Sequence, residues 1–131
     1  MRRVLFLAGL ICLFALAAKA QDPVKVDSKH YKVEFENDQV RVLRIHYGPH
    51  EKSVMHAHPN AVAVFLADQR AKFTLPDGKS VEREWKGGDA LWTPAETHLP
   101  ENLSDKPLDL ILVELKGKPA AATKPAAKKK G

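Results

Sequence analysis

Apolar and polar positions along the chain change with a period of two, in runs of about four to eight residues. Tyr31-Lys32-Val33-Glu34-Phe35-Glu36 alternates apolar and charged residues. A half-buried strand does this because successive side chains point to opposite faces. Asn37-Asp38 is a turn signal, and Val40 to Tyr47 is rich in β-branched and aromatic residues, which predicts a second strand. Gly48-Pro49 closes it. Ser53 to His58 reads as a short extended segment. Ala61 to Leu66 is continuously apolar, the pattern of a strand covered on both faces. Asp68-Gln69 reads as a turn, and Arg70 goes with it. Lys72 to Leu75 is a strand, and Pro76-Asp77-Gly78-Lys79 is a hairpin turn. Val81 to Trp85 alternates again, Gly87-Gly88-Asp89 turns the chain into Ala90 to Thr93, and Leu108 to Leu115 is the last strand. With no helical period and no repeat, roughly eight or nine short strands predict an all-β jelly-roll sandwich or barrel.

The two ends do not follow this pattern. Arg2-Arg3 precede an apolar stretch from Val4 to Ala18, and Ala18-Lys19-Ala20 has the form of a signal-peptidase site. Residues 1–20 are therefore expected to be a secretory signal peptide. They are short for a membrane anchor, so the mature protein is expected to be periplasmic or secreted with no stable membrane anchor. The only cysteine, Cys12, lies in that segment. Disulfides and thiolate ligands are thereby excluded from the mature chain. Residues 21–30 read as a polar lead-in ending in a solvated His30. Residues 117–131 are rich in Lys, Ala and Pro and are expected to be disordered.

The net charge of +5 changes meaning once it is divided along the chain. Gln21 to Leu115 carries 12 basic and 16 acidic residues, while Lys116 to the end carries six lysines and no acid. The basic balance belongs to the ends, so specific nucleic-acid binding by the domain is not implied. A role for the lysine tail at an anionic surface ranks below a plain solvated tail.

Met55-His56-Ala57-His58-Pro59 carries the candidate chemistry. On a strand, the i and i+2 imidazoles of His56 and His58 share a face. His98, after Trp92-Thr93-Pro94, lies forty residues beyond His58 and supplies a third imidazole. Three converging imidazoles make a metal site with vacant positions, a reading that the spacing favours over packing histidines. Imidazole suits Fe, Zn, Cu or Ni, and the sequence does not choose among these divalent transition metals. Glu96 and Glu101 flank His98 and are candidates for orienting an imidazole or acting as general base. His46 is a candidate acid, base or fourth ligand if its strand turns it inward. The competing reading for each is a solvated surface residue. Met55, Phe65, Phe73 and Trp92 are expected in the core.

The order of these segments, ending in Gly88-Asp89-Ala90-Leu91-Trp92-Thr93-Pro94-Ala95-Glu96-Thr97-His98, resembles the cupin superfamily over residues 31–116. The likeness is to small single-domain cupins, including beta-alanine degradation proteins. His56 and His58 match the HxH of the first cupin motif, and Gly88, Pro94, His98 and Asn102 match the second. His50 stands where the first motif has a glycine. Val62 or Ala63 stands where it has a glutamate, and Gln69 or Arg70 where it has its last glycine. In the second motif, His98 comes one residue early and Glu96 replaces a glycine. The resemblance implies a jelly-roll barrel (double-stranded β-helix) binding metal through His56, His58 and His98, without the usual glutamate ligand. It also implies a homodimer as a common state. Two functions follow. One is a metal-dependent enzyme acting on a small-molecule substrate, such as a dioxygenase, isomerase or lyase. The other is a non-catalytic module that binds a small ligand or metal.

Overall fold

The computed structural model describes residues 21–117, so the expected signal peptide and all but the first residue of the expected tail lie outside the described residues. Nine strands follow one short helix. Strands β1 (Tyr31–Glu36), β2 (Val40–Tyr47), β9 (Leu108–Leu115), β4 (Ala61–Phe65) and β7 (Ala90–Thr93) form one sheet in that spatial order. Strands β3 (His56–His58), β8 (Glu96–Asn102), β5 (Gln69–Thr74) and β6 (Ser80–Trp85) form the second. All pairings are antiparallel. This is the all-β jelly roll that the alternating pattern predicts.

The inward faces of the two sheets make one core. Leu43, Ile45 and Tyr47 on β2, Ala61, Ala63 and Phe65 on β4, and Leu108 and Leu112 on β9 are buried at alternate positions. Tyr31 and Ala71 complete it from β1 and β5. The hairpin at Pro76–Lys79 forms with Gly78 at a φ of +84°. Leu75 N–H donates to Lys79 O there, and Gly78 N–H to Leu75 O.

Several expectations need correction. The lead-in is structured: α1 spans Pro23–Val26, with Asp22 accepting the Val24 N–H at its start. Four residues are too few to show a period, although Asp-Pro is itself a helix-start signal. His30 is not solvated. It is buried, stacked on Tyr47 at 4.3 Å and held between Asp27 and Glu51 at 2.7 and 3.0 Å. Gln69 and Arg70 are not a turn but the start of β5. The extended segment from Ser53 is strand only over His56–His58. Ala61 to Phe65 is not buried on both faces, since Val62 and Val64 are half-buried on the outer side. Trp92 is 53% exposed, because alternation along β7 turns it outward.

His50 has a φ of +57° and is the one non-glycine residue in the left-handed region among the described residues. This is the position at which the cupin resemblance places a glycine. A side chain there strains the backbone by about 1–2 kcal/mol. Its contact with Asp105 is exposed and offsets little of that cost. His50→Gly is therefore expected to raise stability by about 0.5–1 kcal/mol, measured by urea unfolding. Unchanged or lower stability would count against the strain.

Candidate metal centre

Strand pairing brings the three histidines together. β3 pairs with the first half of β8, placing His56 opposite His98 and His58 opposite Glu96. Both strands send alternate residues inward, so His56, His58, Glu96 and His98 share the inner side. One ring nitrogen from each of His56, His58 and His98 falls in a group whose atoms lie within 4.8 Å of one another.

The other ring nitrogens decide what this cluster can do. His56 Nδ1 donates to the Val54 carbonyl at 2.8 Å, His58 Nδ1 to Glu114 Oε1 at 2.6 Å, and His98 Nδ1 to Glu96 Oε1 at 2.9 Å. Carbonyl and carboxylate oxygens only accept, so the proton of each neutral ring sits on Nδ1 and Nε2 presents a lone pair. His56 Nε2 and His58 Nε2 face each other at 3.1 Å. Two lone pairs facing each other repel unless a cation lies between them. Two nitrogens bound about 2.1 Å from one ion lie roughly 3.0–3.4 Å apart, so the spacing fits a shared metal.

The electrostatics keep the rings ready to bind. Burial, reinforced by the neighbouring His58 and His98, lowers the His56 pKa to about 3. Burial lowers that of His98 to about 4, against the opposing pull of Glu96. Both are neutral near pH 7, as ligation requires. Glu114 lies on β9 and is 2% exposed. Burial pushes its pKa up, but His58 and Arg41 outweigh that and hold it below the usual carboxylate range. Arg41 Nε donates to Glu114 at 2.7 Å, and Arg41 also bonds Asp22 at 2.8 Å. Glu96 is likewise held low by His98 and Arg83 despite burial.

Sequence reasoning missed Glu114 and Arg41. The signal was an acid in the apolar run Leu108 to Leu115, at even spacing from Leu108 and Leu112. Of the acid–base candidates, only Glu96 reaches the cluster. His46 and Glu101 need correction, because alternation sends both outward. His46 follows the inward Ile45 and bonds Asp109 on the neighbouring strand at 2.8 Å. Glu101 lies between the buried Pro100 and Asn102 and pairs with Lys72 at 2.7 Å.

A cavity of about 100 Å³ adjoins the cluster, and His58, His98 and Glu96 line part of it. Its walls include Phe65, Phe73 and Trp85, with Arg83 at the same end as Glu96. Tyr31 stands edge-on to His56 at 4.8 Å and shares a 2.6 Å hydroxyl contact with Tyr47.

Comparison with solved structures adds the fold's identity. A cupin domain from Bordetella pertussis Tohama I matches at TM-score 0.62 and 24% identity, covering 66% of this chain and 92% of that one. The fold is the cupin double-stranded β-helix. An RmlC-like cupin from Methanocaldococcus jannaschii matches at TM-score 0.51 and 19% identity, over 68% of this chain and 83% of that one. The polyketide cyclase RemF from Streptomyces resistomycificus matches at TM-score 0.50 and 18% identity, over 69% of this chain and 66% of that one. No protein-family model and no curated protein matches the chain. On this cupin frame, Ala63 rather than Val62 faces inward, 1% exposed and on the cavity wall. The side chain where the resemblance expects a carboxylate ligand is thus a methyl group.

Two outcomes are expected. Unfolded histidine takes up its proton near pH 6.5, whereas folded His56 and His98 refuse theirs until about pH 3 and 4. Between those limits the unfolded state binds more protons, so stability falls as pH falls. Calorimetry of the metal-free protein should show a Tm that is level above about pH 7 and declines from about pH 6.5 toward 4. A Tm unchanged over that window would contradict the buried neutral rings. Separately, Glu114→Gln turns a donor toward Arg41 and loosens the hold on His58. Metal affinity, measured by competition with a chelator, should drop about 10–100-fold.

Proposed function

We propose that this chain is an exported, metal-dependent enzyme of the cupin fold, acting on a small molecule held in the barrel cavity. One observation carries the reading: all three Nδ1 atoms are committed to acceptors, which leaves Nε2 as the free nitrogen of each ring in a three-histidine cluster beside the cavity. The chemistry of the donor set fits Fe, Zn, Cu or Ni. When bound, such an ion supplies Lewis acidity toward an oxygen of the ligand, or redox chemistry if it is iron or copper.

The chain's own residues do the rest. Val54 O, Glu114 and Glu96 fix the orientation and tautomer of the three rings. Phe73, 4.9 Å from the His98 ring, gives the reacting end an apolar wall, and Arg83 lies there paired with Glu96 at 3.3 Å. RemF, which shares the fold, is a polyketide cyclase, so a barrel of this fold is used for catalysis in at least one other protein. Export rests on the Arg2-Arg3, apolar and Ala18-Lys19-Ala20 pattern.

A second reading, a non-catalytic binding module, is favoured by the state of the carboxylates. Glu96 and Glu114 are each tied to an imidazole and an arginine, so neither is a free general base.

Metal analysis of the purified mature protein tests what the two readings share. Wild type is expected to carry near-stoichiometric metal after reconstitution with Fe, Zn, Cu or Ni, and a His56→Ala/His58→Ala variant with native circular dichroism to carry little. If wild type holds no more than the variant, the metal reading is wrong. Oxygen uptake and turnover with a panel of small carbonyl compounds then separate enzyme from binding module.

A further inference from the structure

One buried polar group has no part in the histidine centre. Gln69 is 6% exposed and lines the same cavity. Its Oε1 accepts the backbone N–H of Asp109 at 3.1 Å. A backbone N–H can only donate, which fixes which end of the amide is oxygen and which is nitrogen. Nε2 then has no hydrogen-bond partner, and it is the one buried side-chain nitrogen or oxygen so placed among the described residues. Leaving a buried donor unmet costs about 1–3 kcal/mol. The amide oxygen has a structural partner in the Asp109 N–H, whereas the amide nitrogen of this cavity-lining residue has none.

The surroundings connect this amide to the histidines. β5 turns Gln69, Ala71 and Phe73 to one side. Trp85 lies opposite Gln69 in the β5–β6 register. It stacks on Phe65 at 4.5 Å and meets Phe73 edge-on at 6.0 Å, and Phe73 lies 4.9 Å from the His98 ring. An aromatic wall therefore runs from the amide to the imidazole. Ala71, fully buried, adds little bulk along the way. At the histidine end the Arg83 guanidinium lies 4.9 Å from the Phe73 ring centre and is matched by Glu96 at 3.3 Å, so the net positive charge there would be that of the bound ion.

We propose that Gln69 is a specificity residue whose free N–H groups donate to a carbonyl-type oxygen at the far end of a small, elongated anion. The charged end of that anion lies at the histidine cluster beside Arg83, and its apolar middle lies along the Phe73–Trp85–Phe65 wall. This rests on the reading of the histidine cluster as the reactive end. The cavity's volume narrows the class. An engineered apolar cavity of about 150 Å³ takes benzene, so about 100 Å³ encloses a short chain rather than a fused ring system. Short-chain oxo acids have the required pattern of charge, apolar spacer and acceptor.

Isothermal titration of the zinc-loaded protein tests the assignment. The probes are 4-oxopentanoate and its near-isostere 4-methylpentanoate, with 6-oxoheptanoate and 6-methylheptanoate for a longer reach. At one of the two lengths the oxo acid is expected to bind about tenfold more tightly than its hydrocarbon partner, the size of one satisfied buried donor. Gln69→Met keeps the side chain's length and removes its donors, so the ratio should fall to near one with zinc content unchanged. Equal affinities in wild type at both lengths, no binding of either oxo acid, or a ratio that survives Gln69→Met overturns the proposal. If the variant does not fold, the wild-type ratio alone decides. A failed metal reading is distinct, because it shows as absent zinc before any probe is added.

Discussion

A carboxylate buried inside the barrel wall is the constraint on which the rest of this structure depends. Glu114 would cost several kcal/mol if it were desolvated alone. It is tolerated because Arg41 and His58 each bond one of its oxygens, at 2.7 and 2.6 Å. Those two bonds join β9 to β2 and to β3. Arg41 reaches on to Asp22, which also caps α1, and the Ala57 N–H donates to Gln21 O at 2.9 Å. The lead-in is thereby fixed against the strand that carries the paired histidines. Buried ion pairs of this kind add little net stability against an apolar replacement, so their value here lies in orientation. Glu114 cannot be satisfied unless His58 presents Nδ1 to it, and that forces Nε2 toward the other two rings.

The same device occurs a second time on the opposite strand. His98, Glu96 and Arg83 repeat the order imidazole, carboxylate, guanidinium. His56 completes the set with a backbone carbonyl instead. The two networks differ in exposure. Glu114 is almost wholly enclosed, whereas Arg83 and Glu96 are 40% and 27% exposed at the side chain. The Glu96 side is therefore where a ligand can approach, and the Glu114 side is the fixed wall.

Much of this was legible in the chain because strand alternation is local. The apolar run at Ala61 to Leu66, the hairpin at Pro76–Lys79 and the shared face of His56 and His58 follow from neighbouring residues alone. What the sequence hid was register. Whether His46 faces in or out depends on which parity of β2 is buried, and Ile45 and Tyr47 settle that only once the sheet has a core. Glu101 fails as a site residue for the same reason, one place along from Pro100. Glu114 and Arg41 are 73 residues apart in sequence and meet only through the β2–β9 pairing. Gln69 looked like a turn residue because its side chain is polar. Its burial comes from the sheets that close over it, which no local pattern records.

The charge balance across the centre supports the anionic occupant proposed above. The three rings that face inward bring no charge when neutral, and the inward position where the resemblance expects a carboxylate ligand carries the methyl group of Ala63. The two carboxylates behind the rings are each matched by an arginine, Glu114 by Arg41 and Glu96 by Arg83. A divalent ion held here would thus keep nearly all of its charge, in a cavity whose walls are mainly apolar and screen poorly. Neutral ligation strengthens the attraction for an anion in the vacant positions, where an acidic ligand set would weaken it. A methyl group at Ala63, where the resemblance expects a carboxylate, leaves that position uncharged and takes up less of the cavity. Those two conditions favour the small anion proposed above.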